Sequence, residues 1–169
     1  MTRYSIVSHR SRVAVEVQST LQRLELVSSD VNGHVELELH DGKLVPAGLT
    51  ATVSVPSASF GSGNWLVDRD VRMMFESRKY PEIAGQVIEV KTADGGGNYW
   101  VRGNLRLHGV TREVQGQASV VEISDHHAVF EGAMTLDYTL FNMVAPKLLM
   151  LKVEPAAEIH GRVYAERVA

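Results

Sequence analysis

The sequence predicts an all-β antiparallel fold, a sandwich or a closed barrel, with one short helix. Three observations predict it. Apolar and polar residues alternate over stretch after stretch, the period-two mark of strands with one packed and one wet face. Turn signals such as Asp41-Gly42 and Gly109 fall between those stretches. A single segment changes to helical spacing.

Tyr4 and Ile6 open the domain, and Val13, Val15 and Val17 alternate with Ala14, Glu16 and Gln18 in a first full strand. Ser19 to Leu26 reads as a short helix or a bent connection. Val35, Leu37 and Leu39 then oppose His34, Glu36, Glu38 and His40, and Asp41-Gly42 marks a hairpin. Ala51, Val53 and Val55 form the next apolar face, ended by Pro56, which cannot donate to a ladder. After a Gly/Ser loop over Gly61–Asn64, Val67, Val71, Met74 and Phe75 take the spacing of one helix face. Asp68 or Asp70 is the expected N-cap, and Tyr80-Pro81 the expected stop.

Ile83 to Thr92 is the next strand, and Ala93 to Asn98 a turn. Val101, Gly103, Leu105 and Leu107 then oppose Trp100, Arg102, Asn104, Arg106 and His108. The returning strand sets Val114, Gly116, Ala118 and Val120 against Gln115, Gln117 and Ser119. In Val129 to Leu140, Phe130, Met134, Leu136 and Tyr138 share a face with Gly132. Asn142 to Met150 is irregular, and a last strand runs from Ala156 to Arg167. Gly103, Gly116, Gly132 and Gly161 sit on apolar strand faces, and Gly33 also lies inside a strand. Interior glycines weaken strands. Here they relieve crowding between bulky neighbours, or they serve a closing sheet and leave room inside it, which favours a barrel.

The 169 residues suit a single domain over residues 1–169. A hydrophobic fraction of 44% and a charged fraction of 22% are those of an ordinary globular chain. A net charge of −3, with Lys and Arg scattered singly, points away from nucleic acid. The absence of cysteine excludes disulfides, thiolate metal sites and cysteine nucleophiles. No stretch is long and apolar enough for a transmembrane helix, and the N-terminus lacks the apolar core of a secretory signal. The expected compartment is the cytoplasm.

Three stretches resemble the YceI-like family. Val67-Asp68-Arg69-Asp70-Val71-Arg72, running on to Lys79-Tyr80-Pro81-Glu82-Ile83, is similar to that family's Arg-Asp-led helix and the Lys-Tyr-Pro that follows it. Gly103 to Val114, with Leu105-Arg106-Leu107-His108-Gly109-Val110-Thr111-Arg112, resembles its Leu-Thr-Leu-His-Gly-Val-Thr-Arg hairpin. His9 to Val17 is similar to its first strand. Where the family tends to place Arg and then Asp-Phe-Gly, this chain reads Tyr138-Thr139-Leu140-Phe141-Asn142-Met143. The resemblance implies an antiparallel eight-stranded lipocalin-like barrel with one short helix capping an end. It also implies a non-enzymatic binder of a long isoprenoid or fatty-acyl chain, with no cofactor. Strand edges in such barrels pair readily, so a homodimer is an expected partner state.

The candidate ligand-lining residues are Val15, Val35, Leu37, Val53, Val55, Met74, Phe75, Val101, Leu105, Leu107, Phe130, Met134, Leu136 and Phe141. On the residues alone they read first as a plain core; the resemblance implies instead that they line a tunnel. Arg69, His108 and Arg112 are the candidate head-group contacts at a barrel mouth, although Arg69 also has acidic neighbours to pair with. Two other functions compete. A solidly packed barrel would serve as a protein–protein module, and an enzyme would use His108 and Arg112 at the mouth. No metal is expected, because the histidines lack ligand spacing and His126-His127 point to opposite faces if extended. No Gly-x-Ser-x-Gly elbow is present, and Ala93–Asn98 lacks the Gly-Lys-Ser/Thr of a phosphate loop.

Overall fold

A computed structural model describes residues 1–144, 147–148 and 151–169. The strands are β1 (Thr2–Ile6), β2 (Arg12–Ser19), β3 (Arg23–Ser28), β4 (Asn32–His40) and β5 (Lys43–Pro56). Helix α1 (Trp65–Phe75) follows, then β6 (Glu82–Thr92), β7 (Asn98–Leu107), β8 (Val110–Ile123), β9 (His127–Asp137), β10 (Lys147–Leu148) and β11 (Leu151–Arg167). Short 3-10 turns occupy Ser8–Arg10, Ser57–Ser59 and Tyr138–Phe141.

The sheet closes on itself. Antiparallel neighbours run β1-β4-β5-β6-β7-β8-β9-β11, and β1 returns to β11 with Tyr4 opposite Arg167 and Ile6 opposite Ala165. That ring is the eight-stranded barrel. The long β11 has a second partner on the same edge. Beyond the Ser8–Arg10 turn, β2 pairs it from Arg12 opposite Arg162 to Val17 opposite Ala157, and β3 extends from β2. Closure satisfies backbone groups that an open edge would expose. Alternation then sends one side chain in two inward, where Tyr4, Val35, Leu37, Leu107, Leu136 and Ala165 are buried.

Two hairpins follow their turn residues closely. Asp41 and Gly42 have φ of 52° and 74°, and His108 and Gly109 have 54° and 73°. Each pair makes a two-residue connection with both φ positive, which matches the right-handed twist of the strands it joins. His108 therefore sits in the turn and not on the wet face of β7.

Several local expectations are corrected. Ser19 to Leu26 is neither helix nor bent connection throughout: Arg23–Ser28 forms β3, whose Leu24 and Leu26 point into the core. The cap of α1 is Asn64, whose side-chain oxygen accepts from the N–H groups of Leu66 at 3.0 Å and Val67 at 3.4 Å. Asp68 lies within the first turn and instead accepts from the N–H and hydroxyl of Ser62, each at 2.7 Å. Asp70 bonds Arg69. The helix ends before Tyr80-Pro81, because Glu76 turns left-handed at φ 49°. The N–H of Ser77 then reaches Arg72 O and that of Glu76 reaches Met73 O, a Schellman closure. The strand expected over Val129–Leu140 ends at Asp137, and the last strand begins at Leu151, ahead of the expected Ala156. The irregular stretch Asn142–Met150 lies partly outside the described residues. Asn64→Ala should cost about 1 kcal/mol of stability, read as a lower denaturant midpoint at unchanged slope.

Candidate functional site: an apolar cavity and its mouth

Val67, Val71 and Phe75 bury one face of α1, and Phe75 meets Phe60 with ring centroids 6.0 Å apart. This lays the helix across one end of the barrel. Beneath it the interior is not filled. A cavity lobe of about 260 Å³ is walled by α1 (Val71, Met74, Phe75), by β2 (Val13, Val15, Val17) and by Val53, Val55, Leu105, Leu107, Met134, Leu136 and Ile159. A second lobe of about 320 Å³ occupies the middle of the barrel and shares Val53, Gly85, Leu105, Met134 and Ile159 with the first. A third, of about 160 Å³, shares Val53, Val87, Val101, Ala118, Phe130 and Val163 with the second and reaches Ile6, Val35, Leu44 and Leu49. Together they fall in the range of about 300–1,000 Å³ typical of small-molecule sites.

Glycines hold the middle lobe open. Gly85, Gly103, Gly116, Gly132 and Gly161 all border it, with Gly132 directly opposite Gly161 across β9 and β11. A Cβ at Gly103 would fall 2.4 Å from Gln86 O, and one at Gly116 would fall 2.8 Å from Ala133 O, so these two permit a close backbone approach. At Gly132, Gly161 and Gly85 the nearest atoms would be 3.5, 3.8 and 4.0 Å away. Those three could carry a side chain sterically, and its absence leaves volume. Room inside the sheet is thus the role of Gly85, Gly132 and Gly161, while Gly103 and Gly116 relieve contact with neighbouring backbone rather than between bulky side chains.

Among the candidate lining residues, Val15, Val53, Val55, Met74, Phe75, Leu105, Leu107, Met134 and Leu136 border the first lobe. Val101 and Phe130 border the second and third, and Val35 the third. Leu37 and Phe141 do not border the cavity. Both are almost completely buried in solid packing, Leu37 beside β1 and Phe141 in the turn after β9. Alternation identifies the inward face but not which inward residues meet a neighbour and which meet a void. It also offered Val13, Val17, Val114, Ile159 and Val163, which wall the cavity. Val87 joins them, and Ile88, expected on one face with Val90, turns outward, because a register shift interrupts β6 between Val87 and Glu89. Phe60 and Met143 lie outside the strands, where no periodic signal reaches.

The walls carry few polar groups. Tyr138 turns its hydroxyl away to donate to Glu154 O at 2.8 Å. Burial, and then the nearby Asp137 carboxylate, raise that phenol above its ordinary pKa, so it stays neutral.

A polar recess of about 410 Å³ adjoins the first lobe and shares Met74 and Met143 with it; Asp70, Met73, Glu76, His108, Asn142 and Val144 complete its wall. This is the candidate mouth. Of the three candidate head-group residues, His108 alone borders it. Its Nε2 lies 2.5 Å from Glu76 Oε2 and its Nδ1 3.1 Å from Phe141 O, and Tyr80 packs on the ring at 4.7 Å. Arg112 donates through Nε to Leu140 O at 2.7 Å. Arg69 pairs with Asp70 at 3.2 Å and lies over Trp65, on the outer side of α1.

Among the described residues, one grouping brings three metal-ligand types together: Glu16, Glu158 and His160, with ligand atoms within 4.8 Å of one another. It lies on the outer wall, where Arg23 pairs with Glu16 at 3.2 Å. Among the described residues no helix is long and apolar enough to cross a membrane.

A YceI-like domain model matches residues 4–165. The fold is similar to the crystal structure of Burkholderia cenocepacia BcnA, at 19% identity, covering 94% of this chain and 98% of that one with a TM-score of 0.81. It is also similar to a polyisoprenoid binding domain from Saccharophagus degradans implicated in plant cell wall breakdown, at 16% identity over 99% of this chain and 100% of that one, TM-score 0.78. A Campylobacter jejuni YceI protein matches at 12% identity over 89% of this chain and 88% of that one, TM-score 0.74. Comparison with curated protein sequences finds no match.

Proposed function

The chain belongs to the YceI-like family, and from that premise we propose that its barrel binds a long amphiphile without catalysis, to carry or store it. The ligand class is a polyisoprenoid, an isoprenoid quinone or a fatty-acyl chain. The observation that carries this reading is the run of adjoining apolar lobes along the barrel interior. Each methylene moved from water into such a space is worth about 0.8 kcal/mol, against the cost of ordering the chain. A slot of this kind therefore needs few polar contacts. The polyisoprenoid binding described for the Saccharophagus domain supports the same class.

The polar end of the ligand lies at the recess beside His108 and Glu76. Arg112 and Arg69 do not border that recess and play secondary parts. A solidly packed module fits poorly with open lobes between Leu105 and Phe130. An enzyme using His108 and Arg112 would have to release both side chains from structural partners first.

Organic extraction of the purified protein, followed by mass spectrometry, should release a long-chain lipid. The stripped protein should take up retinol, an uncharged isoprenoid alcohol, with a rise in its fluorescence. An empty extract together with no uptake would overturn the reading.

A further inference from the structure

The two acceptors around His108 constrain its protonation. Phe141 O can only accept, and so can the ionised carboxylate of Glu76. A neutral imidazole has one N–H, so it can serve one of these partners and must turn a lone pair toward the other. Only the imidazolium donates to both. The ring is well sheltered, its side chain 10% exposed, and Tyr80 covers a face.

These bonds join the three segments that make the mouth. His108 sits at the tip of the β7–β8 hairpin, next to the cavity residue Leu107. Glu76 closes α1, two residues beyond Met74, and Phe141 stands two residues before Met143. Met74 and Met143 are the side chains shared by the recess and the first lobe. Both methionine-bearing segments are thus pinned to the same ring.

We propose that Glu76, His108 and Phe141 form a proton-dependent clasp that holds the mouth of the cavity shut while the imidazole is charged. Raising the pH removes one N–H. One of the two ties is then lost, and the segments bearing Met74 and Met143 gain freedom to part. Bonds that need the protonated ring are complete at low pH and fail as the ring titrates. The ionisable groups facing or flanking the ring are Glu76 and Asp70 from α1 and its end, Lys79 and Tyr80 from the turn after it, and Arg112 from β8. Imidazole is the side-chain type whose ordinary titration falls between about pH 5 and 8. Release of ligand through this mouth rests on the proposed function; the clasp itself does not.

The test therefore has two arms, both on the full chain between about pH 5.5 and 9. In ligand-free protein, nitrogen NMR of the ring should show both nitrogens protonated at the acid end. Amide protection at Glu76, Ser77 and Asn142–Val144, measured against the intrinsic base-catalysed exchange rate at each pH, should fall as the ring loses its proton. In the second arm, the dissociation rate of bound retinol should rise about tenfold over the same transition, the loss expected for one charged hydrogen bond.

Two variants should remove the pH dependence in opposite directions. His108→Asn keeps a residue that tolerates the left-handed turn but cannot span both partners, so release should be fast at every pH. Glu76→Gln supplies an amide that can donate to the neutral ring, so release should stay slow. A singly protonated ring across the whole range, or protection at the mouth that does not change with pH, would overturn the clasp whether or not retinol binds. Failure of retinol to bind with the NMR and exchange results intact would instead count against the ligand class.

Discussion

Leu105→Trp is expected to weaken retinol or fatty-acid uptake at least about tenfold while leaving the barrel folded. Leu105 borders both the first and the second lobe, so an indole there stands where a threaded chain must pass. Excluding only two methylenes already costs about 1.6 kcal/mol, which is more than tenfold in affinity. Inserting an aromatic ring into a filled core would strain it by about 1–3 kcal/mol. Here Gly85 is the cross-strand partner of Leu105, and open volume lies beside it, so the ring has somewhere to go. Unchanged or raised stability with lost uptake is the signature of a site that is full. Severe destabilisation would mean the interior is tighter than the lobes imply, and unchanged uptake would place the ligand elsewhere. Gly132→Leu should act in the same direction, because a Cβ there meets nothing nearer than 3.5 Å.

Gly33→Ala should have the largest effect on stability, a loss on the order of 3 kcal/mol or more, read from a urea midpoint or from failure to fold. Gly33 has φ +138°, a conformation that L side chains rarely adopt. A Cβ there would fall 1.9 Å from Thr52 O, a backbone atom of the adjacent β5. Neither the backbone strain nor the clash can be relieved by rotating a side chain; β4 and β5 would have to separate. Gly132→Ala is the control. It places a methyl group in ordinary contact and removes freedom from the unfolded chain, so it should be neutral or mildly stabilising. Equal losses at the two positions would refute the distinction between glycines that permit close strands and glycines that leave space.

Much of the fold was legible because its signals are local. Alternation in β2, β4, β7, β8 and β9 reports which face is packed, and the tips at Asp41-Gly42 and His108-Gly109 report where the chain reverses. Apolar spacing found α1 as well. Its cap was misread because Asp68 and Asp70 follow Asn64 closely, and only the backbone path selects Asn64. Arg23–Ser28 was missed as a strand because its residues alternate over too short a span, and its pairing with β2 is what makes it one.

The site was legible to a lesser depth. Inward residues could be named, but Leu37 and Val35 have the same pattern while only Val35 meets the void. His108 could be marked as polar and near a turn, yet its partners are 32 and 33 positions away. The sequence by itself determined an antiparallel sheet with an apolar inner face and a helix beside it, since period and turns act between near neighbours, while its closure through β1 and β11 waited on the tertiary structure. Only the tertiary structure decided that the inner face stays partly empty and that one imidazole binds three segments at the mouth. Cavities and clasps are sums over side chains that meet through space, and no stretch of chain carries that sum.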